Sequence, residues 1–330
     1  MRALILDADL RLSLADRPQP LPAADEALVA IRAAALNRRD YWISKGLYPG
    51  LTPPVILGSD GCGEVVALGE GADQSWLGRR VVINPSLAWG ASQAHQGADF
   101  QILGNPRDGT FASHLAIPLS ALHPAPDHLS DAEAAALPLA GLTAWRALVS
   151  RAQVRPGERV LITGIGGGVA QMALMLSRSL GCRVAVTSRD GAKGEAARQA
   201  GAELALDAQA QDWAKALQGA WGVVDVVIDG VGGANLPALV QAADYGARIV
   251  VYGATAGEPQ GLPLRPLFWK QLAILGSTMG SPADFADLLD HVREHGLRPR
   301  IDGSWPLAEW ATALERMASG AACGKLVLLP

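Results

Sequence analysis

Four glycines and the valine after them have the spacing to hold a pyrophosphate. In Thr163-Gly164-Ile165-Gly166-Gly167-Gly168-Val169-Ala170, Gly164, Gly166, Gly167 and Gly168 lack a Cβ, so the backbone can turn sharply and approach phosphate oxygens. The apolar run Val160 to Ile162 precedes them like a buried strand, and Gln171 to Leu176 follows with a helical pattern. A strand, a glycine turn and a helix start present free N–H groups and a helix dipole to an anion. The strict G-x-G-x-x-G spacing fails, since Val169 stands in the third glycine's place.

A second strand pattern, Arg183 to Thr187, ends about 20 residues further on, where dinucleotide folds place the residue that reads the ribose. An NAD site has an acid there. This chain has Thr187-Ser188-Arg189, with Lys193 one turn on. Hydroxyl and cationic donors suit a 2′-phosphate, so NADPH is the expected cofactor and NADH the less favoured one. A slip of one residue would instead bring the carboxylate of Asp190 to that point.

The elements that position these residues alternate. Strands are expected at Val160–Thr163, Arg183–Thr187, Leu204–Leu206, Val224–Asp229, Ala247–Tyr252 and Ala273–Ser277, with helical patterns near Ala192–Gln199, Trp213–Leu217 and Leu236–Ala242. Alternating β and α predicts a parallel, doubly wound sheet. Before it, short apolar runs (Ala3 to Leu6, Ala27 to Ile31, Gly63 to Leu68, Arg80 to Ile83) between Pro, Gly and Asp predict a strand-rich, barrel-like sheet. Asn84 to Thr110 has little periodicity and reads as a long surface lobe. Ser130-Asp131-Ala132-Glu133 is a capping start for a helix, and Leu139 to Val149 is a second helical piece. After Gly276 come helices at Pro282–Glu294 and Leu307–Met317 and a closing strand, Gly324 to Leu329. That strand has no local partner, so it is expected to return to the first sheet and make the first domain discontinuous.

At 330 residues the chain exceeds the size at which single cores stop growing, and two domains are expected: 1–125 with 271–330, and 126–270. A net charge of -4 without a basic stripe argues against nucleic acid. No apolar run is long enough to span a bilayer, and the start MRALILDADLRLS lacks a signal peptide's apolar region. The three cysteines, Cys62, Cys182 and Cys323, form no C-x-x-C. A reduced, cytoplasmic protein is the simplest expectation.

Six motifs in order resemble the medium-chain dehydrogenase/reductase family, and within it the zinc-free quinone and enone reductases. They are Asn37-Arg38-Arg39-Asp40-Tyr41, the glycine-rich Pro54 to Gly63, Leu137 to Ala144, Thr163 to Ala170, Asp225 to Asp229, and Gly324 to Leu328. The resemblance implies an α/β fold: a Rossmann domain plus a discontinuous, strand-rich GroES-like barrel domain. It also implies a homodimer, and adds Thr143, Gly253 and Lys325 to the cofactor-binding set. The positions that ligate catalytic zinc in the family's alcohol dehydrogenases fall on Asn37, Leu139 and Ser59. Leucine offers no lone pair, and Asn and Ser replace thiolate and imidazole poorly. The Asn84–Thr110 lobe, which carries structural-zinc cysteines in zinc members, has none. No zinc is expected at either place.

Without a Lewis acid, oxidation of a simple alcohol is difficult. Reduction of a quinone or an α,β-unsaturated carbonyl is easier, because hydride reaches an electron-poor carbon and hydrogen-bond donors can hold the resulting oxyanion. The first loop offers candidates. Tyr41 could donate a proton or pack under the loop; Asn37 could donate through its amide or cap a turn; Ser59 could bind the carbonyl oxygen or bond to backbone. Arg39 could hold an oxyanion or lie solvated at the surface, and Asp40 is read as fixing the loop. The catalytic set is expected in a cleft between the domains. Two alternatives stay open: a metal-free alcohol, aldehyde or enoyl-thioester reductase of the same fold, and a non-catalytic NADP(H)-binding sensor or structural protein.

Overall fold

The computed structural model describes residues 1–259 and 261–330 and divides into two compact units, Met1–Ala140 with Gly280–Pro330 and Gly141–Met279. The first boundary falls after Ala140 rather than near residue 125. The reason is the helix Asp131–Ala136, whose Ala134, Ala135 and Ala136 are buried against the strands Glu26–Ala35 and Asp60–Leu68. Its start carries the expected capping box, in which Ser130 Oγ accepts from Glu133 N–H and Glu133 accepts from Ser130 N–H. The second boundary falls at Gly280, just ahead of Ser281, which caps the helix Pro282–Glu294 in the same manner.

The first unit holds a seven-stranded sheet built on the long strand Glu26–Ala35. On one side lies Asp60–Leu68, antiparallel, with Ala35 opposite Asp60. On the other lies the closing strand Lys325–Leu329, also antiparallel, with Val327 opposite Ala35. The closing strand thus returns to the first sheet as its pattern implied, and Ile301–Pro306 pairs with it in parallel. Lys325 through Leu328 are all buried, which suits a central strand with an uninterrupted apolar run. The sheet encloses a core that includes Leu4, Val29, Ile31, Val81, Phe111, Leu326 and Leu328.

The segment Asn84 to Thr110 is a surface lobe in its middle, where none of 90–102 is buried, but its flanks are anchored in the unit. It carries two short strands, Ser86–Leu87 and Gln101–Ile102, paired with each other. Trp89, Leu103, Asn105 and Thr110 within it are buried. Its anchors are single apolar side chains and side-chain-to-backbone bonds, such as Ser86 Oγ to the carbonyl of Gly280 at 2.7 Å. Such anchoring has no period, so it leaves no pattern to read.

The second unit is a six-stranded parallel sheet. Its spatial order is Leu204–Asp207, Arg183–Ser188, Arg159–Ile162, Val224–Asp229, Ala243–Val251 and Ala273–Gly276. The chain starts in the middle, works outward to one edge, then returns to build the other half. This is the doubly wound Rossmann order, with its switch point between Arg159–Ile162 and Val224–Asp229. Strands buried on both faces read as continuous apolar runs, and Val160, Leu161, Ile162, Val226, Val227 and Ile228 are all at 0% exposure. The second helical piece is a helix Pro138–Trp145 that continues as a π-helical turn, Arg146–Arg151.

Candidate active site

In the second unit the strand Arg159–Ile162 runs into the glycine turn and the helix Gly168–Ser179. Thr163 Oγ1 donates to Asp229 Oδ1 at 2.5 Å, tying the turn to the neighbouring strand across the switch point. Gly164 has φ +64°, and a Cβ there would come within 2.9 Å of Val231 Cγ2, so glycine is required. Gly167 is the N-cap and supplies no side-chain acceptor. The first-turn N–H groups of Gly168, Val169 and Ala170 therefore lack intrahelical partners by geometry. A cradle of bare N–H groups at the start of a 12-residue helix fits a dinucleotide pyrophosphate.

At the end of the strand Arg183–Ser188, the carboxylate of Asp190 is committed. It caps the helix Gly191–Gln199 by accepting from Ala192 N–H at 2.9 Å. Ser188 is buried, and its hydroxyl donates to the carbonyl of Asp190 at 2.8 Å while accepting from Asp190 N–H. Arg189 is exposed and among the described residues has no ion pair or hydrogen bond, and Lys193 lies in the first turn of the following helix. Thr143 is buried, 4.0 Å from Met279 Sδ, and Gly253 follows the strand Ala243–Val251.

In the first unit three strand ends meet. The central strand finishes at Ala35, while its two antiparallel neighbours begin at Asp60 and Lys325, so Asn37, Asp60 and Lys325 arrive together. Lys325 Nζ donates to Asn37 Oδ1 at 2.6 Å and to Asp60 Oδ2 at 2.8 Å. Asn37 Nδ2 donates to Asp60 Oδ2 at 2.9 Å, and Leu139 N–H donates to Asp60 Oδ1 at 2.7 Å. Lys325 is 3% exposed and bound to this pair.

The adjoining helix Arg38–Ser44 carries Arg39, Asp40 and Tyr41. Asp40 Oδ2 accepts from Asn37 N–H at 2.7 Å, which fixes the loop as expected, while its buried Oδ1 has no hydrogen-bond partner among the described residues. Burial pushes the Asp40 carboxyl up to about 6, against the pull of Arg39. Arg39 is buried, not solvated. Its Nη1 donates to Ser59 Oγ at 2.6 Å and to the carbonyl of Leu103 at 2.7 Å, and its Cζ lies 5.1 Å from the centre of the Tyr48 ring.

These contacts alter the roles open to the expected donors. Asn37 spends its amide on Asp60, and Ser59 donates its hydroxyl proton to Leu103 O at 2.8 Å. Neither retains a strong donor for a substrate. Tyr41 is half-buried, with Arg38 and Lys45 near its ring, and among the described residues its hydroxyl makes no hydrogen bond. Asp60 was not among the expected site residues. Its signal was an acid inside an otherwise apolar, glycine-rich strand, a position that demands a buried partner.

The zinc positions do not fit zinc. Leu139 contributes only a backbone N–H, to Asp60. Asn37 and Ser59 each accept from a cationic side chain, Lys325 and Arg39, which would repel a metal ion. Among the described residues, no group of three or more His, Cys, Asp or Glu could hold one.

Comparison with known proteins agrees with both units. Residues 23–127 match the alcohol dehydrogenase GroES-like domain, and residues 168–294 match the zinc-binding dehydrogenase domain. A zinc-type alcohol dehydrogenase-like protein of Leptosphaeria maculans is 32% identical over 97% of this chain and 94% of its own. A solved NAD-dependent alcohol dehydrogenase superposes with TM-score 0.94 at 36% identity, covering 100% of both chains. A 2-octenoyl-CoA carboxylase reductase, solved with NADP and 2-octenoyl-CoA, superposes with TM-score 0.90 at 26% identity, covering 99% of this chain and 87% of that one. The chain therefore belongs to the zinc-type alcohol dehydrogenase-like family of medium-chain dehydrogenases/reductases, and is an oxidoreductase of that family.

Proposed function

We propose that the protein is an NADPH-dependent, zinc-independent reductase of α,β-unsaturated carbonyl compounds, enoyl thioesters foremost and quinones among the wider class. The observation that carries this reading is the chemistry at the Asn37 and Ser59 positions. Each holds a cationic side chain there, so this site offers charge and hydrogen-bond donors where a zinc enzyme offers a Lewis acid. The octenoyl-CoA ligand of the carboxylase reductase supports the thioester class.

The turn Gly164 to Val169 would hold the pyrophosphate of the cofactor, and Ser188, Arg189 and Lys193 its 2′-phosphate, with Thr143 and Gly253 in the same unit. The commitment of Asp190 to its helix cap supports NADPH over NADH, because that carboxylate is not free for ribose hydroxyls. When bound, the cofactor supplies a hydride. Tyr41, with its unpaired hydroxyl, is the candidate to pass a proton to the substrate's α carbon. Asn37 and Asp60 position Lys325, and Ser59 positions Arg39.

The test is NADPH oxidation across enoyl thioesters, enones, quinones and aldehydes, run with a strong chelator beside elemental analysis of the untagged protein. Turnover of the unsaturated carbonyls should persist with far less than one zinc per chain. A full equivalent of zinc that survives dialysis, or activity abolished by chelator, would overturn the proposal. A second reading, an alcohol or aldehyde dehydrogenase, is favoured by the 36% identity to the solved NAD-dependent alcohol dehydrogenase. Turnover of aldehydes alone, with NADH preferred, would select it.

A further inference from the structure

Arg39 is a buried guanidinium with three of its five N–H donors unspent. It is 8% exposed, yet among the described residues it has no ion-pair partner. Nη1 uses both of its N–H groups, on Ser59 Oγ and Leu103 O. Nε is sealed from solvent and unpaired. Among the described residues Nη2 makes no hydrogen bond and, unlike Nε, it keeps contact with solvent. The neighbouring Asp40 carboxyl attracts Arg39 but makes no hydrogen bond to it, and buried cationic donors left unfilled are unfavourable unless a ligand completes them.

The guanidinium is also held in place. Its helix starts at Arg38, capped through Asn37 and Asp40; Nη1 is fixed by two acceptors; and the Tyr48 ring lies within cation–π reach of Cζ. Little side-chain freedom remains to be lost when an acceptor arrives at Nη2.

We propose that Arg39 is a catalytic residue whose Nη2 edge binds the substrate's carbonyl oxygen and holds it as it becomes an enolate oxyanion. The inference deepens the reductase reading and rests on it. In that reaction the β carbon gains a C–H bond from the hydride of the reduced nicotinamide. The C=C pair shifts toward the carbonyl, whose oxygen takes the negative charge. A proton then joins the α carbon, so that the double bond is reduced and the nicotinamide oxidised. The charge that develops is a single anionic oxygen, and Nη2 offers it two N–H donors on a fixed cation. Arginine does this where lysine would not, because the planar fork lets Nη1 stay anchored while Nη2 points elsewhere.

The test uses the full chain loaded with NADP⁺, and crotonate as a planar anionic stand-in for the enolate, titrated by calorimetry. Arg39→Lys keeps the charge and can still reach Ser59 or Leu103 O, so it is the variant chosen to fold; Arg39→Met is its companion, with thermal melting on both. Crotonate should bind the wild-type complex and bind Arg39→Lys at least tenfold more weakly, with NADP⁺ affinity unchanged. On the best unsaturated carbonyl, kcat should fall about 100- to 1,000-fold with little change in KM. Wild-type turnover with an unaltered kcat in Arg39→Lys would overturn the proposal, since a merely structural arginine is replaceable there. So would a wild-type complex that does not bind crotonate. Crotonate binding that depends on Arg39, in a protein that reduces no unsaturated carbonyl, would sustain the anion site while sinking the reductase reading.

Discussion

The ammonium of Lys325 lies 2.8 Å from Oδ2 of Asp60, the two side chains 3% and 0% exposed, although 265 residues separate them in the chain. One is the first residue of the closing strand and the other the first residue of the strand two places across the sheet. Between them, Asn37 bonds to both.

Removing one partner strands the other in the core. Lys325→Met should destabilise the protein by ~3–5 kcal/mol, since it leaves a buried carboxylate without its cation. Asp60→Asn in the same background should recover much of the loss. Urea unfolding of the two single variants and the double variant measures this, and strictly additive losses would mean that the pair is not coupled.

Asp40 gives stability a pH dependence of inverted sign for a carboxylate. The folded protein raises its carboxyl to about 6, chiefly through burial, whereas an unfolded aspartate titrates at about 3.9. The folded state therefore binds this proton more tightly. The stabilisation is fully present below pH ~4 and is lost as pH rises through about 6, with a full span of about 3 kcal/mol. Relative to Asp40→Asn, wild type should gain stability as pH is lowered from about 7 to about 4. A difference that stays flat across that window would show that Asp40 does not titrate this way.

Arg189 and Asp190 are adjacent but should separate cleanly. Arg189→Ala is expected to weaken NADPH binding roughly ten- to a hundred-fold and leave NADH nearly unchanged. Asp190→Ala removes a helix cap and should reduce stability by ~0.5–2 kcal/mol, without reversing cofactor preference. Fluorescence titration with both cofactors decides the first point. Equal losses for NADPH and NADH in Arg189→Ala would assign that residue another task.

Tyr41→Phe deletes one hydroxyl and keeps the ring beside Arg38 and Lys45. If Tyr41 supplies the proton, kcat should fall by about 10²-fold or more, with NADPH affinity intact. An unchanged kcat on every active substrate would hand the role to a bound water.

The Rossmann half was legible in the sequence because its signals are local. Its parallel strands are buried on both faces, so Val160 to Ile162 and Val224 to Asp229 announce themselves as short apolar runs. The glycine turn needs only consecutive residues to be recognised, as does the capping box at Ser130 in the other unit. Even the return of the closing strand followed from its lack of a neighbour. The polar cluster of the first unit was not legible, because strand register decides it. Asn37, Asp60 and Lys325 meet only since Ala35 lies opposite both Asp60 and Val327, and a shift by one residue would turn each side chain to the other face. Whether Arg39 is solvated or buried, and whether Asn37 and Ser59 keep a donor, depends on contacts between residues 20 to 288 positions apart. Residue type names the groups that could react; long-range pairing decides which of them are already spent.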